Sequence, residues 1–103
     1  MTKATSAEHR TDRVVMQNPN TGRDDNTIAR AMYEPVREAI LAAIGEAGVL
    51  ALSELRGEVE RRTPATMWED ASVGWYTTSV KLDLEAKGLI TKEGSPQQLH
   101  LAE

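Results

Sequence analysis

The sequence predicts a mainly α fold that carries a small β-hairpin, an α+β chain with a three-helix core. Three observations point there. Apolar residues recur at about 100° per residue in three separate segments after residue 30. The last stretch, "LITKE" and "QQLHLA" around "GSP", alternates apolar and polar as a hairpin does. The bulk values, 103 residues with 40% hydrophobic and 27% charged, suit one globular domain with one modest core.

Taken in order, residues 1–13 are polar and aperiodic and are expected to form a disordered tail. Residues 14–30 form an N-terminal arm. In it, "VVMQ" is a short apolar run, and "NPNTG" has the residues of a tight turn: Asn18 at the first position, Pro19 to preset φ, and Gly22 for positive φ. A small hairpin with part of "RDDNTI" and an irregular surface loop are both open readings. Val14, Val15 and Ile28 are expected to lie on the body or on a partner, because so short a segment cannot stand alone.

The main domain spans residues 31–103. Its first helix, "AMYEPVREAILAAIGEAG", places Ala29, Met32, Tyr33, Val36, Ile40, Ala43, Ile44 and Ala47 on one side. Pro35 is tolerated in a first turn, so the helix should begin near Ala31–Glu34, and Gly48 should end it. Glu34 and Glu38 read as a solvated face rather than as a paired acid and base. Val49–Leu52 reads as a short strand or extended entry. Ser53 is the expected N-cap of a second helix to about Arg62, with Leu55 and Val59 inward and Pro64 as its stop. In "ATMWEDASV", Thr66 and Glu69 fit a capping box around a single turn, with Met67 and Trp68 as satellite core or as an exposed binding aromatic.

Ser72 should cap a third helix through "VGWYTTSVKLDLEAKGLI". Trp75, Ser79, Leu82 and Ala86 form one apolar arc, and Val73, Tyr76, Val80 and Leu84 a second, so this helix is expected to be buried on two sides. Asp83 falls between the arcs and needs a cationic or hydrogen-bonding partner, which Arg37, Arg56 or an N-terminal arginine can supply. A structural ion pair is the expected role, against a catalytic acid. The outward arc is Thr77, Thr78, Lys81 and Glu85. Gly88 ends the helix, and Leu89, Leu99 and Leu101 are the expected inward residues of the hairpin, with His100 outward.

"LSEL" at 52–55 and "LEAKGLI" at 84–90, in the order helix, strand, helix, helix, hairpin, resemble the winged helix-turn-helix superfamily. That resemblance implies a three-helix core plus C-terminal wing, and a small non-enzymatic DNA-binding transcriptional regulator, cytoplasmic and dimeric. Thr77, Thr78 and Lys81 would enter the major groove of double-stranded DNA, and Lys92, Arg61, Arg62 and Arg23 would meet phosphate. Arg61 and Arg62 also read as a cationic helix C-terminus, which needs no DNA. "NPNTG" with "VGWYTTSVKLDLEAKGLI" also resembles a family of small bacterial proteins of unknown function.

Other features resist that reading. The net charge is −4, and residues 31–103 carry twelve acidic against seven basic side chains. Such a body repels phosphate on average. The outward arc lacks Arg, Asn and Gln, the usual bidentate base readers. A winged-helix module for protein–protein interaction or dimerisation, without DNA binding, is therefore the alternative expectation, and the apolar run Val14–Met16 suits a homodimer. Enzyme chemistry is not expected. The chain has no cysteine, no HExxH, no P-loop and no GxGxxG, and its two histidines are His9 and His100. No cofactor, metal, membrane span, signal peptide or definable small-molecule ligand is expected.

Overall fold

Two antiparallel hairpins bracket three helices. The computed structural model describes residues 13–18, 23–94 and 96–102; of residues 17, 18 and 23–26 it describes the backbone alone. Strand β1 (Arg13–Asn18) pairs with β2 (Arg23–Ala29), and β2 runs directly into helix α1 (Arg30–Ala47). Strand β3 (Leu50–Ala51), helix α2 (Leu52–Arg62), a 3-10 turn (Ala65–Trp68) and helix α3 (Val73–Ala86) follow. Strands β4 (Ile90–Glu93) and β5 (Gln98–Leu101) close the order, and β5 lies between β3 and β4 in one antiparallel sheet. The turn expected at "NPNTG" falls on residues 19–22, outside the described residues, and so does the tail up to residue 12.

The first hairpin belongs to the core. Val14 and Ile28 are directly paired, and both are buried together with Met16. Val15 points the other way and is 48% exposed, so of the two expected places, the body or a partner, it does not take the first. Successive strand residues face opposite sides, and β1 can bury only one of its faces. That buried face lies against α3.

Helix α1 buries Tyr33, Val36, Ala39, Ile40, Ala43 and Ile44: the stripe its periodicity predicts without Ala29, Met32 and Ala47, and with Ala39 added. It starts at Arg30, earlier than Pro35 suggested, so Pro35 sits in the second turn. The Ala31 carbonyl thereby lacks its usual helical donor. The first turn is held by other means: the Arg30–Glu34 ion pair at 3.2 Å, and the anchoring of Tyr33 described below. Gly48, at φ +78°, ends the helix and donates its N–H to the Ile44 carbonyl at 2.8 Å.

Ser53 is not the cap of α2. The strand carries Ala51 in extended geometry to the helix start, and the Leu52 N–H is taken by the Gln97 carbonyl at 3.0 Å. The sheet therefore satisfies one of the free N–H donors at the helix start. The Thr66–Glu69 capping box is also absent: the 3-10 turn follows Pro64 without a side-chain cap. Instead Thr63 Oγ1 donates to the Val59 carbonyl at 2.7 Å and accepts from Trp68 Nε1 at 2.9 Å. Met67 and Trp68 pack against the core as satellites.

Ser72 caps α3, its Oγ accepting from the Trp75 N–H at 3.1 Å. At the other end Gly88 donates to the Glu85 carbonyl and Leu89 to the Leu84 carbonyl, the paired bonds of a Schellman ending. That ending uses Leu89 as its last residue, and the strand starts one position later. Ile90 is therefore buried, and Leu89 is 37% exposed, contrary to the expected phase. Leu99 is fully buried as expected. Leu101, at the strand's end, lies against Gly45 of α1 yet stays 40% exposed.

Candidate functional site

Helix α3 is packed by α1, α2, β1 and β4, so few of its directions face solvent. This changes the fate of the arc expected to meet a groove. Thr77 is 4% exposed and Lys81 is 5% exposed, and only Thr78 of the three stands in solvent. The Lys81 ammonium lies 2.5 Å from Glu85 Oε2, one helical turn on. Lys92 of β4 takes the other oxygen of the same carboxylate at 3.2 Å. Trp75 is the reverse case: placed on an inward arc by the helical wheel, it is 48% exposed, its ring meeting Tyr76 edge-on at 5.0 Å. The wheel failed because α3 is covered over most of its circumference. Its polar residues enter the interior and its N-terminal tryptophan does not.

Arg61 and Arg62 are also engaged within the chain. Arg61 bonds Glu58, and Arg62 reaches Glu58 at 3.1 Å and clasps both oxygens of Glu46 at 2.7 and 3.2 Å. The Arg62 guanidinium holds the Glu46 and Glu58 carboxyls below their ordinary range, and they in turn raise the arginine. The expected phosphate contacts thus belong to a carboxylate–guanidinium cluster joining α1 to α2. Arg23 is in β2, and its side chain lies outside the described residues.

Asp83 is fully buried and has well-formed partners. The Tyr33 hydroxyl donates to its Oδ2 at 2.6 Å, and the Lys87 ammonium stands 2.9 Å from the same oxygen. Lys87 also lies 5.3 Å from the centre of the Tyr33 ring. Burial and the adjacent carboxylate push the Tyr33 hydroxyl above its ordinary pKa. Burial works against the Lys87 charge, but hydrogen bonding and charge from Asp83 and Tyr33 outweigh it and raise Lys87. Arg56, one of the cations expected beside Asp83, extends over Gly74 instead.

Between α2 and α3 lies a groove of about 260 Å³, walled by Leu52, Leu55, Gly74 and Thr77, with Arg56, Thr78 and Lys81 around it. Thr77 Oγ1 is the one buried side-chain oxygen or nitrogen without a hydrogen-bond partner among the described residues. No sequence pattern announced this groove, since an unbonded hydroxyl is a property of packing. Among the described residues no group of three or more His, Cys, Asp or Glu side chains could hold a metal ion. Nor is any described helix long and apolar enough to cross a membrane.

A mixed α and β domain of three helices and two small antiparallel sheets is thus defined, with a groove beside its third helix. The chain belongs to DUF6958, a family of unknown function, which matches residues 13–99. No curated protein and no solved structure matches it.

Proposed function

We propose that this chain is a non-enzymatic winged-helix module that works by protein association, with a second copy of itself as the simplest partner. The winged-helix assignment is supported by the element order from α1 to β5 and by the way β3 joins the hairpin sheet beside β5. The observation that carries the association reading is the internal use of the cations. Lys81 and Lys92 share Glu85, and Arg61 and Arg62 are held by Glu58 and Glu46. To meet phosphate, each would have to break an ion pair on an acidic body. Trp75 supports the same reading, because tryptophan at an exposed position is a frequent anchor of protein interfaces. The run Val14–Met16 supports it less than its sequence promised: only Val15 faces out.

Light scattering on the full chain tests this. The expected result is a dimer or larger species that Trp75→Ala shifts toward monomer. A strict monomer up to about millimolar concentration, with no change in Trp75→Ala, would sink self-association as the form of the reading. A second reading, a DNA-binding transcriptional regulator of double-stranded DNA, is favoured by one place: Arg56 and exposed Thr78 stand together at the groove, and Arg56 has no ion-pair partner among the described residues. Retardation of random duplex at low salt would support it.

A further inference from the structure

We infer that the groove between α2 and α3 is the socket for Trp75 of a second copy, so that two chains associate about a two-fold axis with each indole in the other's groove; this rests on the self-association proposed above and names the surface that carries it. A two-fold contact uses the same patch on both copies, so an anchor and the socket that fits it must stand side by side on one chain. Helix α3 has that arrangement. Gly74 lines the groove, and Trp75, the next residue, is 48% exposed. At about 100° per residue, the exposed groove residue Thr78 falls between the directions of Gly74 and Trp75. Anchor and groove therefore occupy adjoining sectors of one helix. Within its own chain the Trp75 ring meets Tyr76 edge-on at 5.0 Å, which leaves about half of it to be covered.

The groove suits an apolar ring. Leu52 and Leu55 of α2 give it an apolar wall, and its volume of about 260 Å³ equals roughly nine waters at liquid density, room for an indole. Gly74 keeps it open. Glycine is the poorest helix former after proline, and nothing in the backbone calls for one here: among the described glycines, positive φ is confined to Gly48, Gly88 and Gly94. Nor does close packing, since an added Cβ would meet nothing nearer than 3.8 Å. What the missing side chain leaves is space in the groove. Charge is complementary across the same patch. Arg56 stands at the groove, and exposed Glu69 and Asp70 stand just before the Ser72 cap at the Trp75 end of α3. None of the three has an ion-pair partner among the described residues. A two-fold contact at Gly74 and Trp75 brings the arginine of each copy toward the acidic end of the other, on chains whose net charge of −4 otherwise keeps them apart.

Sedimentation equilibrium on the full chain, up to about millimolar concentration, tests this. The wild type should form a weak, reversible dimer, since two half-exposed indoles bury less than the roughly 1,200 Å² of a stable interface. Trp75→Ala removes the anchor and Gly74→Leu fills the socket, and each should weaken the dimer at least roughly tenfold. Mixing these two variants is the sharpest arm. The mixed pair keeps one intact unit, Trp75 of the Gly74→Leu chain in the open groove of the Trp75→Ala chain, so it should associate more tightly than either variant alone. Arg56→Glu, at an exposed position, should weaken the wild-type dimer several-fold, and it serves in place of Gly74→Leu if circular dichroism shows that variant unfolded. A wild-type dimer untouched by the socket variant, or a mixture no heavier than its parts, would overturn the inference and leave self-association standing. A wild type that is monomeric throughout would overturn both, and leave the groove to a partner other than a second copy.

Discussion

Three polar side chains are buried on α3, and two of them, Asp83 and Thr77, are treated in opposite ways. Asp83 is fully buried and bonded to Tyr33 and Lys87, joining α3 to the first turn of α1. Thr77, on the same helix but beside the α2 groove, is buried and has nothing to bond. The first arrangement is what structure requires of a buried charge: a short hydrogen bond and a nearby cation. The second adds nothing to stability.

The comparison breaks most visibly at Asp83. Asp83→Ala should cost about 3 kcal/mol in urea unfolding, since it strands the Tyr33 hydroxyl in the core and removes the Lys87 partner. Tyr33→Phe should cost less, about 1.5–2 kcal/mol, because the carboxylate keeps Lys87. A loss below about 0.5 kcal/mol in both would show that the network is not what holds α3 on α1. Thr77→Val is the counter-case and should change stability by between nothing and about 1 kcal/mol in the favourable direction.

The pH dependence sharpens the same contrast. Tyr33 and Lys87 both have folded pKa values raised above their ordinary 10.0 and 10.5. Both hold their protons more tightly when folded. Their contribution is intact below those ordinary values and is lost as pH rises through the folded ones. The urea midpoint should therefore fall on the alkaline side, and Asp83→Ala should flatten that fall. The smallest effect belongs to Glu46 and Glu58. Their pKa values are lowered, so their contribution is present above about 4.5 and is lost as pH falls. Because Glu46 and Arg61 stand mostly in solvent, added salt should erase much of it.

Much of the scaffold was legible. The stripe on α1, the Leu55–Val59 pair, Gly48 and Gly88 as helix ends, and the Ser72 cap all follow from local pattern, and the structure keeps each of them. The misses have local causes. At Ser53 and Pro35 a neighbouring element supplied a bond or an anchor that local rules assign to the residue itself, and at Leu89 the helix ending reached one residue further than the pattern suggested. At the site the failure was larger. A helical wheel sorts residues by direction but does not know how many directions are covered. On α3 it sent Thr77 and Lys81 outward and Trp75 inward, and the structure reverses all three. That Asp83 needs a partner could be read from its place between two apolar arcs. Of the partners described, Tyr33 and Lys87, only Lys87, four residues on, could be suspected from the sequence.

The central proposal is that α3 serves as a structural spine whose charged residues, Lys81, Asp83 and Glu85, are paired within the chain, and that it does not read bases. Mobility of a random DNA duplex at low salt tests it most directly. With Lys81, Lys92, Arg61 and Arg62 already paired, the account predicts no retarded band at tens of micromolar protein, where even non-specific binders show one. A retarded band that weakens steeply with salt and disappears in Lys81→Met would contradict it.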